Sequence, residues 1–538
     1  MTSTAPAPQS VHDVLVVGAG FAGLYAVHRA RQAGLDVLAV EAGTGVGGTW
    51  FWNRYPGARC DVESVDYSYS FDEDLQQSWI WSERYAGQPE ILAYLEHVAD
   101  RFDLRRDIVL GQRVTSAHLD EDTAVWHVGT DTGQTYLARF VLMATGCLSA
   151  LNKPDIPGTD SFAGEVYFTA AWPQQEPDLT GKRVGIIGTG SSGVQSVPLL
   201  AERAASLTVF QRSANYSVPM PNHVLTPADQ ERIRAEYPAR RKKSAYAPAG
   251  TPHESYPHNA LELSEQERLA AMEARWAEGG VLFGKTFPDQ NANLAANDVV
   301  REFAEAKIRS VVADPEVADA LVPTDHPIGT KRICTDIGYY QTFNQPHVRL
   351  VNLRTDPIVE ITPTGVVTEH DVHELDVLVY ATGFDAMTGA LLRIDIRGAR
   401  GTTIADAWGA GPVTFLGMAI PGLPNLFNLS GPGSPSVLAN MVLHAEAQVD
   451  WLVDLVASCR ERGVATVEAR REAAEEWTEH VDAVAQGTLF PQARSWYMGA
   501  NIEGKKQMFM PYIGGFGTYR RACDEVAAKG YEGFTLSS

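Results

Sequence analysis

The feature that most limits what this chain can become is a glycine-spaced turn that occurs twice, each time between an apolar run and a helical stretch. In the first copy Asp13 to Val17 is the run, Gly18-Ala-Gly20-Phe-Ala-Gly23 the turn, and Leu24 to Ala33 the helix, closed by Gly34. A second apolar run, Val37 to Val40, follows and ends on Glu41. In the second copy Arg183 to Ile187 leads into Gly188-Thr-Gly190-Ser191-Ser-Gly193, Val194 to Ala204 reads as helix, and Leu207 to Phe210 as the next strand. Strand, turn, helix and strand make the start of a right-handed parallel α/β unit. Two such units predict an α/β fold with two Rossmann-like dinucleotide-binding domains.

The bare glycine spacing also occurs in ordinary turns, so its surroundings decide. A dinucleotide site needs glycines that let the main chain approach a pyrophosphate. It also needs a helix N-terminus with free N–H groups, and an acid at the end of the second strand for ribose hydroxyls. Gly18, Gly20, Gly23 and Glu41 supply all three. In the second unit the corresponding strand ends Val209-Phe210-Gln211-Arg212, with a guanidinium where the carboxylate stood. That exchange suits a 2′-phosphate. The sequence therefore predicts FAD on the first unit and NADPH on the second, held there by Gly188, Gly190, Ser191, Gly193 and Arg212, and hence a flavoprotein oxidoreductase.

Between the units lie an aromatic-rich stretch (47–81), a helix near Pro89 to Phe102, and a β-meander ending in Phe140-Val-Leu-Met-Ala-Thr-Gly146. A proline-marked connection, Asn152 to Gly158, follows. Residues 221–330 turn charged and helix-forming, with a capping box at Ser264-Glu-Gln-Glu267, and read as a helical insertion in the second unit. Val377-Leu-Val-Tyr-Ala-Thr-Gly383 echoes the segment ending at Gly146. The C-terminal part is expected to fold back on the first unit, with a long amphipathic helix from about Ser436 to Arg462. The predicted division is 1–150 and 385–538 for the FAD-binding domain, and 151–384 for the NADP-binding domain.

Composition narrows the class. The formal net charge of −22 disfavours nucleic acid or an anionic membrane as partner. Five scattered cysteines without a C-x-x-C pair indicate neither a disulfide framework nor a dithiol electron acceptor. The start, Met1 to Ser10, lacks the features of an export signal, and no stretch approaches about 18 apolar residues, so a cytoplasmic protein with no membrane or obligate protein partner is expected. His370 and His373 are expected in an exposed turn, not a metal site, and the basic run Arg240-Arg-Lys-Lys243 on a solvated helix face. No G-x-S-x-G elbow supports a hydrolase.

Two longer motifs carry a family resemblance. Gly47-Gly48-Thr-Trp50-Phe-Trp-Asn-Arg-Tyr55-Pro56-Gly57-Ala-Arg-Cys-Asp61 matches throughout the first fingerprint of the Baeyer–Villiger monooxygenases. Phe162-Ala-Gly164-Glu-Val-Tyr-Phe168-Thr-Ala-Ala-Trp172-Pro173 matches the second except that Phe168 replaces its histidine. The chain resembles that family from about Asp13 to its C-terminus. Arg212 to Tyr216 and Gly431 to Ser436 look closest to the steroid and phenylacetone monooxygenase subgroup.

The resemblance implies that NADPH reduces FAD, that the reduced flavin takes up O2 as a C4a-peroxide, and that this attacks a small-molecule ketone to give an ester or lactone. It implies Arg332 as the catalytic cation, with a charge that survives desolvation better than that of a lysine, and Asp61 as the acid that positions it. It implies further that Gly48, Trp50 and Asp61 lie at the cofactor, Lys331 and Arg212 at the 2′-phosphate, Trp496 at the nicotinamide, and Ser436, Val437 and Leu438 at the substrate. Trp50 and Trp172 also read as plain core aromatics. Phe168 cannot exchange protons or donate as histidine does, so altered NADPH affinity or coupling is expected. The alternatives are a flavin monooxygenase acting on nitrogen or sulfur, and a non-catalytic dinucleotide sensor.

Overall fold

In the computed structural model, which describes residues 10–538, the two glycine turns head two separate sheets. The opening residues 1–9, read above for an export signal, lie outside the described residues. In the first sheet strand Val11–Val17 lies between Val37–Val40 and Thr135–Met143, parallel to both. Val14 and Val16 pack into one buried cluster and Leu15 and Val17 into another, so both faces are covered and the run Val14 to Val17 is apolar throughout instead of alternating. The meander Val114–Asp120, Val125–Thr130 and Thr135–Met143 is antiparallel. Two C-terminal strands complete this sheet: Asp395–Arg397 beside Val114–Asp120, and Leu426–Asn428 beside the second half of Thr135–Met143.

The second sheet is wholly parallel, in the order Val348–Asn352, Ser206–Gln211, Arg183–Ile187, Val377–Tyr380, Glu165–Phe168. The crossover between its neighbours Ser206–Gln211 and Val348–Asn352 contains helices Pro227–Ser244, Glu265–Glu278, Leu294–Val311 and Pro315–Leu321. Ser264 caps Glu265–Glu278 reciprocally with Glu267, as the spacing predicts. A three-stranded antiparallel ribbon, 358–374, precedes the returning strand, as the meander does in the first unit. The repeated Ala-Thr-Gly has a packing reason. The carbonyl oxygen of Ala144 lies where a side chain on Gly18 would stand, and that of Ala381 blocks Gly188 in the same way.

The structure corrects three expectations. The C-terminal helix begins at Met441, where Asn440 caps the amides of Val442 and Leu443, and Ser436–Leu438 is a separate 3-10 turn. That helix is buried on most of its circumference, because helix Phe21–Gln32 packs on one side and Phe516–Ala528 on another. His373 is not in an exposed turn. It is buried in strand Val372–Glu374, edge-on to Phe210. The basic run is not simply a solvated face: Arg240 binds the carboxylates of Glu63 and Asp66, and Arg241 donates to the main chain of Ser68 and Tyr69. Among the described residues no helix is long and apolar enough to cross a membrane.

Candidate active site

The first fingerprint is largely a joint between the two units. Tyr55 donates to Gln195 Oε1 at 2.9 Å, and Gln195 Nε2 reaches back to the carbonyl of Arg59 at 3.1 Å. Gly57, at φ +82°, faces the carbonyl of Gln195, which leaves no room for a side chain. Helix Ser191–Arg203 of the second glycine unit is thereby pressed against the loop that ends at Asp61.

At that joint Arg332 and Asp61 meet, although they are far apart in sequence. Arg332 Nε and Nη2 donate to the two oxygens of Asp61 at 2.6 and 2.7 Å, and Nη1 donates to the carbonyl of Val437 at 2.8 Å. The side chains keep 28% and 20% exposure, so the pair is sheltered yet reachable. Burial opposes the charge of Arg332, but the field and hydrogen bonds of Asp61 more than offset it and hold the guanidinium above its ordinary pKa. The fork fixes a permanent cation in one orientation.

Three neighbours escaped sequence reasoning. Burial pushes the Tyr497 phenol up to about 12 against the opposing effect of Arg332. Burial likewise pushes the Tyr55 phenol up to about 12. Lys285, beside Gly284 whose main chain packs on Gly329 and Ile333, is exposed and lies in the field of Arg332. Among the described residues Lys285 has no hydrogen bond or ion pair. No motif marks it.

The other predicted residues fall into groups. Around Arg332, Val437 and Leu438 join an apolar cluster with Trp496, Met387 and Tyr497. Ser436 is held at φ +45° with its hydroxyl donating to the carbonyl of Ser430. Trp50 is core: its indole N–H is taken by Tyr67. Trp172 is buried in the second unit with its indole nitrogen unpartnered. Phe168 stacks on Tyr380 at 4.9 Å, and so fills the histidine position with an aromatic packing contact.

For the cofactors, the fit is read from the turns. Gly20 and Gly48 face each other so closely that a Cβ on Gly48 would stand 2.7 Å from the Cα of Gly20. Glu41 Oε2 accepts the amide of Ala19 at 2.7 Å and Oε1 that of Gly43 at 2.6 Å, which braces the turn and still leaves a lone pair on each oxygen. Both helices start on a glycine without a side-chain cap, so their first N–H groups are available to a pyrophosphate. Around Gly190 a Cβ would meet nothing within 4 Å. At the second strand end, Asp325 gathers Lys331 at 3.4 Å, Arg354 at 2.6 Å and His326 at 2.5 Å. Arg354 Nε in turn holds the carbonyl of Arg212. Arg212 and Lys331 thus stand in one basic cluster, together with Arg354, which has no motif to reveal it. Burial is the main cause that lowers the Lys331 pKa, opposed by Asp325. The residues present fit a dinucleotide on each unit.

Comparison with known proteins agrees. The family model described as pyridine nucleotide-disulphide oxidoreductase matches residues 15–248. All five cysteines are nevertheless unpaired. A Baeyer–Villiger monooxygenase of Pseudooceanicola batsensis is 43% identical over 96% of this chain and 95% of its own. Phenazine N-monooxygenase PhzNO1 of Lysobacter antibioticus is 42% identical over 98% and 97%. Among solved structures, oxidized steroid monooxygenase bound to NADP shares 56% identity over 98% of this chain and all of that one, with a TM-score of 0.94. The chain belongs to the Baeyer–Villiger monooxygenase family of flavoproteins.

Proposed function

We propose that this protein uses NADPH and O2 to oxygenate a small apolar ketone to an ester or lactone. The observation that carries this reading is the three-point grip on Arg332 by Asp61 and the Val437 carbonyl, at the joint between the two dinucleotide units. FAD in the first unit, reduced by NADPH from the second, supplies the activated oxygen. Chain residues do the rest. Arg332 meets the negative charge that develops on the ketone oxygen as the carbonyl is attacked, and being preoriented it costs no reorganisation at that moment. Asp61 holds the guanidinium plane; Val437, Leu438 and Trp496 shelter the cleft from water with apolar surface. Arg212, Lys331 and Arg354 receive the 2′-phosphate. The division into domains at about 150 and 384 follows from the same reading.

A second reading has one specific observation behind it. A relative named as an N-monooxygenase stands 42% identical over almost the whole chain, so family membership by itself does not separate ketones from heteroatoms. The arginine does. Arg332→Ala is expected to keep FAD bound and reducible by NADPH while ketone oxygenation falls by about 10²–10³-fold, the scale of losing one oxyanion donor. Assay of the purified variant on a ketone and on a tertiary amine, with products followed by mass spectrometry, distinguishes the two. Undiminished ester formation would remove Arg332 from the role given to it here.

A further inference from the structure

The groups that hold Arg332 are themselves held at one buried point. Asp66, whose side chain is only 2% exposed, takes both arms of Arg240: Nε to Oδ1 at 2.6 Å and Nη2 to Oδ2 at 2.6 Å. The same Nη2 donates to Glu63 Oε2 at 2.6 Å, and Glu63 Oε1 accepts Arg84 Nε at 2.8 Å. His253 stands 3.8 Å from both carboxylates, with Glu278 at 4.0 Å on its other side. Glu63, Asp66 and His253 are close enough together to hold a metal ion. The Arg240 guanidinium already occupies the place of the cation, so the cluster is an ion-pair network.

Asp66 has a second tie. Its main-chain carbonyl accepts Asn440 Nδ2 at 2.6 Å. Asn440 starts helix Met441–Arg462, and the turn Ser436–Leu438 just before it carries the Val437 carbonyl that receives Arg332. Five residues before Asp66 along the other chain segment is Asp61. One buried residue therefore joins the two backbones that grip the guanidinium, and the residue that pins it, Arg240, comes from helix Pro227–Ser244 of the insertion.

We propose that Arg240 is a positioning residue for Arg332: through Asp66 it fixes the spacing between the Asp61 carboxylate and the Val437 carbonyl, and with it the direction of the guanidinium. The inference rests on the reading that Arg332 serves oxygenation. It makes the insertion part of the active site without touching substrate or cofactor. A displacement of the guanidinium by a fraction of its own width weakens its hold on the developing charge but leaves NADPH binding and flavin reduction alone.

The test uses the flavin-loaded full chain and a ketone that the wild type oxygenates. Arg240→Ala leaves Asp66 buried and unpaired and threatens the fold, so the deciding variant is Arg240→Met with Asp66→Asn, which removes both charges together. The expected result is unchanged KM for NADPH and unchanged flavin reduction in stopped flow. The fraction of NADPH consumed that appears as ester should fall by about 10- to 100-fold, with hydrogen peroxide in its place. In Arg240→Ala, added guanidinium ion at millimolar concentration is expected to restore part of the ester yield, and ammonium is not, since only a planar fork spans two carboxylates. Wild-type ester yield in the double variant, alongside a defective Arg332→Ala, overturns the proposal and leaves the role of Arg332 intact. Wild-type ester yield in Arg332→Ala overturns the reading beneath it.

Discussion

In the first glycine unit the turn is braced by the chain itself: Gly48 presses on Gly20, and Glu41 gives an oxygen to the amide of Ala19 and another to that of Gly43. In the second the turn opens on space at Gly190, and the strand beyond it ends in Gln211 and a cluster of cations at the surface. The same local motif thus serves two kinds of site. A cradle braced by its own carboxylate suits a cofactor that stays; an open turn beside a cluster of cations suits one that arrives and leaves at each turnover.

The comparison is broken most forcefully at the glycines. Gly48→Ala combines a left-handed φ of +52° with a clash of the new methyl group against the Gly20 main chain, and the conformation alone costs about 1–3 kcal/mol. It is expected to yield colourless, flavin-free protein with a lowered melting temperature. Gly190→Ala should melt like the wild type and keep its yellow colour, yet bind NADPH more weakly, because its methyl group enters only the space the coenzyme needs. Equal loss of flavin in both would mean that the two cradles do not differ.

The next effect concerns how the first unit is buttressed. Glu446, on the C-terminal helix, is buried and accepts both the amide and the hydroxyl of Ser70. Burial raises its pKa to about 7 from an ordinary 4.5, a shift that Ser70 only partly opposes. The fold therefore favours the protonated acid. The stability this contributes is complete below pH 4.5 and is lost as pH climbs through about 7. Glu446→Gln should melt close to the wild type at pH 4.5 and above it at pH 8, by about 3 kcal/mol at one pKa unit per 1.36 kcal/mol. A pH-independent difference would assign the effect to packing.

The smallest effect sharpens the open side. Arg212→Ala is expected to cost about 1.5–3 kcal/mol in NADPH binding, the worth of a hydrogen bond to a charged group, or roughly ten- to a hundredfold in affinity. NADH binding should hardly change. A loss nearer the lower end would show Lys331 and Arg354 carrying the phosphate between them, and equal loss with both coenzymes would make Arg212 a structural residue.

How much of this was legible in the sequence follows the range of the forces involved. The strands and helices beside each glycine turn were readable because apolar period and turn chemistry are local, and the capping box at Ser264 for the same reason. Asp61 was found as the last residue of the first fingerprint, and Arg332 through the resemblance of Gly329-Thr-Lys331-Arg332 to the family's pattern. Lys285, Arg354 and Asp325 were not, because each owes its place to a tertiary contact between segments without a motif. The basic run at Arg240 misled, since Arg240 and Lys243 look alike in sequence and only the folded chain gives one of them a buried aspartate. The helix start moved from Ser436 to Met441 because Asn440, a strong cap, outweighs the apolar residues before it.

Strand Leu426–Asn428, which completes the first sheet beside Thr135–Met143, also bears on how the protein is made. A ribosome releases the first glycine unit early, but that unit waits for a strand and a covering helix encoded after the whole second sheet. The five strands of the second sheet, by contrast, all lie between Glu165 and Tyr380 and can pair as soon as they emerge. The later unit is thus expected to fold first, and the nascent flavin cradle to remain exposed until the strand and helix that follow that unit have been made.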